Sequence, residues 1–502
     1  MKDKLFALVK SLSPAEKKMV KLSARKGCEA YIQLFDALEK QKIYNETSFK
    51  SRYRNSPFTP NLPYHKNYLF NHILKSLRDH FEKDNIHIKL KRELIDAEIL
   101  ISKYKLDLAR EKLMLVEREA RKLDMLEILP EILCMRHKIL TMLDKPQNMQ
   151  NEAKEIYESM DEVYCKLSNL NAYRKLYDRM HRLFLRLSSA YNSSDQRELK
   201  TIKGDILLSS PDKALSVLAG FLFHATWLLI HLAEKDYDKA YESANNYAKL
   251  IEQYPQFKYE KYSMAMYYLL KLTRLTGRYE EYREILYKYR KHAESCNQLE
   301  RLKIFCDTTT DELLWCIETK DIERGLELIE EVKAVFAYYC NLSRSVYSSG
   351  SSYYGLNFIT LCGSVVYIMA ERYNEALAWI SWLHNAKPQD ISRSSYRTLK
   401  VLNLIIHYEL GNYEFVESQL KSFQRYLNRN NELNDSIHLI LELFESLLRV
   451  RDYSETIECL EKFKLEYSAT DPNYQRQLIL DLVWWADRKI HIYGSQAVFS
   501  SV

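Results

Sequence analysis

Residues 371–388 read ERYNEALAWISWLHNAKP. A charged pair, Glu371 and Arg372, leads into an aromatic residue, Tyr373; Glu375 and the small Ala376 follow. These residue types in this order write a helical hairpin. A small polar or glycine residue ends one helix, an aromatic ring plugs the turn, and an acid opens the next helix near the positive end of its dipole. A small residue one turn further lets the two helices approach. The same signal recurs as KDYDKAYESA at 235–244, GRYEEYREIL at 277–286, KDIERGLELI at 320–329, GNYEFVESQL at 411–420 and RDYSETIECL at 451–460. A fainter copy, KYKLDLAREKL, stands at 103–113. The key positions are Tyr237, Tyr279, Ile322, Tyr373, Tyr413 and Tyr453, spaced 42, 43, 51, 40 and 40 residues apart. One hairpin cannot bury its own apolar face, so hairpins repeated at this period stack on one another.

Composition agrees with an all-α chain. The 502 residues include only ten Gly and ten Pro, too few turn residues for an all-β or low-complexity protein. Hydrophobic residues at 46% supply a core, and charged residues at 28%, of both signs, argue against disorder. Two stretches lack Lys, Arg, Asp and Glu: Leu215–Ala233 and Tyr353–Ala370. Both reach the ~18–20 residues of a membrane span. Each runs directly into one of the charged turns, so they read as buried central helices, and membrane association is not expected.

The hairpin signal resembles the tetratricopeptide repeat (TPR) family. In ERYNEALAWISWLHNAKP, Tyr373, Ala376 and Pro388 stand at the family's Tyr, Ala and Pro spacing. The resemblance covers roughly residues 205–470, with a copy near 95–130. The period of about 40 exceeds the family's, and Leu228 and Leu270 occupy positions where the family has a small residue. Ser364 is a candidate for the small packing position. The resemblance implies a right-handed α–α superhelix whose concave groove binds a protein or peptide. In the family register Tyr267, Lys271 and Arg274 line that groove, and two cations beside an aromatic suit an acidic or carboxylate-terminated peptide. The expected organisation is a basic helical module at 1–90, linking hairpins at 91–200 and the solenoid at 201–502. A helix beginning at Asp471–Pro472, with Leu478, Leu482 and Trp485 in one apolar stripe, would cap it.

Charge is unevenly distributed. Residues 1–90 hold 18 Lys and Arg against 9 Asp and Glu, whereas the remainder holds 56 against 59. This asymmetry suits an anionic partner, although a solvated lysine-rich surface reads the same way. Helices are expected at about 4–11, 14–26, 28–41, 46–53 and 64–83, with NSPFTPNLP (55–63) as a loop and Ser13-Pro14-Ala15-Glu16 as a capping box. In the last helix Leu69, Phe70, Ile73, Leu74, Leu77 and Phe81 form an apolar face. Asn67, Asn71, Lys75 and Arg78 cluster on another, within about 80° of arc. Those are side-chain types that contact bases and phosphates. A compact basic module of this kind resembles, loosely, a helix-turn-helix reader, which implies DNA as a partner. The module is also similar to the start of bacterial TPR-like proteins, which implies no particular activity.

Little else in the chain suggests chemistry. The nine cysteines (28, 134, 165, 296, 306, 316, 340, 362 and 459) contain no CxxC pair, and fit reduced thiols in a cytoplasmic protein. His65, His72, His80 and His87 lie seven or eight residues apart, too far along a helix for one metal ion to bridge neighbours. There is no phosphate loop, GxGxxG, HExxH, GxSxG or EF-hand loop. No metal, no cofactor and no catalytic activity are expected. The 38 tyrosines read as packing residues rather than as a stacking platform for nucleic acid. The stretches SSAYNSS (188–194) and NLSRSVYSSGSS (341–352) read as loops.

Overall fold

The computed structural model describes residues 4–23, 29–41, 44–81, 85–143, 146–187, 193–333, 351–384, 393–430, 432–450, 452–470 and 478–500. The protein is all-helical, with no strand among the described residues. The chain divides into two compact units, Met1–Ile285 and Leu286–Val502. The expected boundary at 200/201 falls inside the first unit.

The first unit opens with α1 (Lys4–Ser11), α2 (Pro14–Leu22), α3 (Glu29–Glu39), α4 (Glu46–Arg52) and α5 (Leu62–Phe81). These helices share their own core, in which Val9, Leu34, Phe35, Leu38, Phe49 and Ile73 are almost wholly buried. Ser13 caps α2 as expected: its hydroxyl accepts from the Glu16 amide at 3.2 Å, and the Glu16 carboxylate accepts from the Ser13 amide at 2.7 Å. There follow α6 (Ile86–Ser102), α7 (Leu106–Lys122), α8 (Leu129–Met142), α9 (Pro146–Leu187), α10 (Ser193–Lys203), α11 (Val217–Glu234), α12 (Tyr237–Gln253), α13 (Lys258–Leu275) and the first half of α14 (Tyr279–Ala293), whose residues from Leu286 on belong to the second unit. Helix α9 runs 42 residues because its only proline sits at the first position and it has no glycine. Ile156, Val163, Leu170, Tyr173, Met180 and Leu183 form its buried stripe.

The second unit contains α15 (Gln298–Thr319), α16 (322–333), α17 (Ser351–Met369), α18 (Tyr373–His384), α19 (Arg393–Glu409), α20 (Tyr413–Asn430), α21 (Asp435–Leu447), α22 (Tyr453–Ser468) and α23 (Leu482–Ser500). Its core runs unbroken from Leu302 to Ala486. Ser193, Ser194, Ser351 and Ser352, placed in loops by the sequence reading, open helices; residues 188–192 and 341–350 of those two stretches lie outside the described residues.

The repeated signal has one structural meaning throughout. Tyr237, Tyr279, Ile322, Tyr373, Tyr413 and Tyr453 are each the first residue of a helix. Two residues earlier the backbone is left-handed: Lys235 (φ 61°), Gly277 (69°), Lys320 (60°), Glu371 (58°) and Gly411 (72°). The next amide donates back to the carbonyl five residues before it, from Asp236 to His231, Arg278 to Thr273, Asp321 to Cys316, Arg372 to Tyr367 and Asn412 to His407, all at 2.8–2.9 Å. This hydrogen bond ends one helix, and the residue making it immediately precedes the first residue of the next. Asp236, Asp321 and Asp452 accept from the amides of Lys239, Arg324 and Glu455 as N-caps. Only some of the key side chains plug the turns: Tyr237, Ile322 and Tyr373 are half-buried, and Ile322 and Tyr373 pack against the core of the second unit. Tyr279, Tyr413 and Tyr453 are 51%, 54% and 43% exposed, because backbone hydrogen bonds already close the turn. Three residues after the helix start the side chain faces inward: Ala240, Ala376 and Val416 are fully buried.

Close packing in the second unit depends on small residues. A methyl group at Gly325 would lie 2.9 Å from Val366, one at Gly355 2.7 Å from Cys306, and one at Gly363 2.6 Å from the Trp379 indole. Helix α17 therefore presses on α15 through Gly355 and on α18 through Gly363. Ser364, the expected small packing residue, is buried and donates to the Thr360 carbonyl, but the close approach falls on its neighbour Gly363.

Among the described residues one helix, α11, is long and apolar enough to cross a membrane, and half of it is buried among protein groups, against α9 and α12. The second uncharged stretch gives a shorter apolar helix, Gly355–Met369.

The final helix starts later than the sequence suggested. Residues 471–477 lie outside the described residues, and Leu478 precedes α23 rather than forming part of its stripe. Leu482, Trp485 and Ala486 are buried. The Trp485 indole donates to Glu409 at 2.8 Å, the Lys489 ammonium pairs with the other Glu409 oxygen, and Arg488 pairs with Glu371 at 2.6 Å. These contacts tie α23 to α19 and to the turn before α18.

Two outcomes follow from this packing. Gly363→Ala forces the Trp379 indole to move and is expected to destabilise the protein by about 1–3 kcal/mol, visible as a lowered thermal midpoint. An unchanged midpoint would mean that α17 and α18 have room to spare. Asp307 accepts a hydrogen bond from the buried Tyr289 hydroxyl at 2.8 Å. Burial pushes its carboxyl up to about 6 from an ordinary 3.8, and the tyrosine bond only partly offsets this. The folded protein thus holds this proton more tightly than the unfolded chain, and stability falls as pH rises from about 4 to 6. Asp307→Asn should raise the melting temperature at pH 8 by about 2–4 °C and by less at pH 4. A larger gain at the acid end would contradict the assignment.

Candidate nucleic-acid interface

Helix α5 forms where Leu62, Leu69 and Ile73, at helical spacing, can be buried against α2 and α3. It begins at Leu62, so Pro63 lies in its first turn, where no amide hydrogen is required. The buried face is rotated from the one expected. Ser76 is buried, while Leu74 and Phe81 are 38% and 37% exposed. Polar contacts account for the rotation: the Ser76 hydroxyl lies 2.6 Å from that of Ser23, which also approaches His72 Nε2 at 3.3 Å. Phe70 and Leu77 border the core.

All four predicted polar residues of this helix, Asn67, Asn71, Lys75 and Arg78, are exposed. Their spacing puts them on one arc of about 80° and spreads them over about 16 Å of helix rise. The exposed Tyr64, which the sequence reading passed over, falls inside the same arc, and Leu74 and Phe81 border it.

Five other cations of the module, Lys10, Lys17, Lys21, Lys50 and Lys66, are already paired. Lys10 donates to the Glu39 carbonyl at 2.5 Å, Lys17 lies 3.3 Å from the Glu39 carboxylate, and Lys21 reaches Asp36 at 2.7 Å and Glu39 at 3.1 Å. Lys50 and Lys66 flank Glu46 at 2.8 and 3.0 Å, and their hydrogen bonds hold its carboxyl down to about 2. Lys75 and Arg78 make no ion pair or side-chain hydrogen bond among the described residues. Lys4, Lys18, Lys40, Arg52 and Arg54 are also exposed and make no ion pair among the described residues, so the α5 arc carries only part of the module's basic excess.

The groove residues predicted on α13 are placed differently. Tyr267 and Lys271 are half-buried, Arg274 is only 7% exposed, and all three already engage other groups. Arg274 lies one turn beyond Leu270, which is 1% exposed, so it turns inward with the face that packs on the neighbouring helices. Arg274 therefore offers little accessible surface on α13.

The second unit carries a cavity of about 480 Å³ lined by Arg290, Arg301, Phe305, Thr308, Leu328 and Val332, among others. Its cations are committed elsewhere. Arg290 pairs with Glu312 at 2.5 Å, and Arg301 donates to the carbonyls of Cys296 and Glu294 at 2.9 and 2.6 Å. No group of three or more His, Cys, Asp and Glu side chains able to hold a metal ion occurs among the described residues. Cys306 and Cys316 are buried on α15, and Cys296 lies before that helix begins.

No family model matches the chain, and no curated protein or solved structure matches it either.

Proposed function

We propose that this chain is a nucleic-acid-binding regulator without catalytic activity. In this reading α5 contacts the nucleic acid, and the helical-hairpin body takes up a protein or peptide in the cytoplasm. The observation that carries it is the exposed arc of Asn67, Asn71, Lys75 and Arg78, whose two cations have no partner among the described residues. Lys and Arg side chains bind phosphate, Asn pairs with the adenine edge, and the major groove admits a single helix. An arc about 16 Å long spans several base pairs, so base and phosphate contacts can be made together.

A second reading is a protein-interaction scaffold, a TPR-like solenoid with a groove for an acidic peptide. The identical turn found at five places supports it, since stacking by a repeated turn is how solenoids build binding surfaces. Of the residues first assigned to that groove, Tyr267 and Lys271 retain partial exposure.

Fluorescence anisotropy of labelled duplex DNA with the full chain separates the two readings. The regulator reading expects affinity to fall steeply with salt. Lys75→Ala with Arg78→Ala should lower it further and reduce the slope of log K against log salt by about 1.8, that is, about 0.9 for each lost phosphate contact. Binding that ignores both substitutions would sink the α5 assignment. Absence of binding would leave the scaffold reading.

A further inference from the structure

Helix α5 carries two exposed aromatic rings in line with Lys75 and Arg78. Tyr64, Tyr68, Asn71, Lys75 and Arg78 follow one another at i, i+4, i+7, i+11 and i+14, the spacing of a single helix face. All five are exposed, the two tyrosines by 57% and 39%. The stripe is about 21 Å long and sorted along its length, with rings at its amino-terminal end and cations at the other. No acid stands within it. Asp79 flanks it, and Arg92 of α6 answers that charge at 3.4 Å. The Tyr68 ring is stacked on Tyr31 of α3, with centroids 4.0 Å apart and planes at 22°. The His72 ring runs nearly parallel to it, at 9° and 6.4 Å, and Tyr64 meets the His65 ring at 79°. The sequence reading took the tyrosines as packing residues, and Tyr173 and Tyr289 are fully buried; Tyr64 is not.

We infer that these rings take unpaired bases, so that the ligand of α5 is nucleic acid with a single-stranded stretch beside its phosphate contacts. The inference rests on the reading of α5 as a nucleic-acid surface and narrows its ligand. A base inside a duplex has both faces covered by its neighbours and cannot reach a ring. An unpaired base presents its face, and every base has one, so stacking of this kind tolerates any sequence. Sites for single strands combine rings for the bases with cations that track the backbone, which is the arrangement along α5. The contact with Tyr31 holds the Tyr68 ring in place before the ligand arrives, which lowers the ordering cost of binding. The unpaired bases can belong to a free strand or to an overhang on a duplex.

Fluorescence anisotropy of the full chain with three labelled probes tests this: a single strand of about 12 nucleotides, its blunt duplex, and that duplex with an overhang of about 4 nucleotides. The duplex carries the denser charge, so phosphate contacts alone would favour it. The strand or the overhang is expected to bind at least about fivefold more tightly than the blunt duplex, the lower end of what one stacked base contributes. Preference for either supports the inference, and which one it is identifies the source of the bases. Tyr64→Ala should remove most of the preference and Tyr64→Phe should keep it, with circular dichroism unchanged, since the position is exposed. Replacing the unpaired nucleotides by abasic ones gives a readout on the native chain: the phosphates remain, and affinity should fall at least about fivefold. A blunt duplex bound as tightly as both other probes overturns the inference. So does a preference that survives Tyr64→Ala, or an abasic probe bound as tightly as the normal one. If Lys75→Ala with Arg78→Ala still weakens binding in those cases, the α5 reading stands without the stacking. Indifference to that pair, or no binding of any probe, overturns both.

Discussion

The left-handed residue that ends the first helix of a hairpin is the constraint from which the rest of the structure follows. Lys235, Lys320 and Glu371 adopt it without being glycine, at a cost of roughly 1–2 kcal/mol each. The returning amide hydrogen bond and the burial it makes possible offset that cost. Once the turn is set, the next helix starts two residues later and folds back along the first. That return covers helices with no face suited to water. In α19, Leu399, Val401, Leu402, Leu404, Ile405 and Ile406 are all buried, and in α17 so are Ile359, Leu361, Cys362, Val365 and Val366. Glycines 355 and 363 then bring α17 close enough to its neighbours to exclude voids. At the chain's end the Glu409–Lys489 pair and the Trp485 indole hold α23 in place.

What could be read in the sequence follows the range of the interactions involved. The hairpin periodicity was legible because it encodes a local event: a residue tolerant of left-handed backbone, a cap, and a helix start. The six key residues are all helix starts. Ring packing was not legible, because tyrosine at a helix start serves equally well exposed or covered. The turn is closed by backbone atoms that carry no side-chain signature. Helix α13 was placed correctly as a helix, but its rotation was not legible. Arg274 lies inward only because neighbouring helices cover the face that it shares with Leu270. The same holds for α5, where the Ser23–Ser76 contact brings together residues 53 apart in the chain and turns Leu74 outward.

Charge in the amino-terminal helices shows why net composition is a coarse guide. The excess of lysine and arginine over residues 1–90 suggested a basic surface. Much of it is consumed by Glu39, Asp36 and Glu46, each of which gathers one or more lysines. What remains includes Lys75 and Arg78 on α5, beside asparagines and exposed apolar side chains, together with Lys4, Lys18, Lys40, Arg52 and Arg54 on other elements. Exposed ion pairs contribute little to stability, so this pairing matters more for shaping the local field than for holding the helices together.

The central functional claim is that nucleic acid lies along α5. Photo-crosslinking of bromouracil-substituted duplex DNA to the full chain, followed by peptide mapping, tests it most directly. The account predicts adducts within Leu62–Phe81, with Tyr64 the favoured ring. Adducts confined to α13 or to the Arg290–Val332 cavity, or none at all, would contradict it.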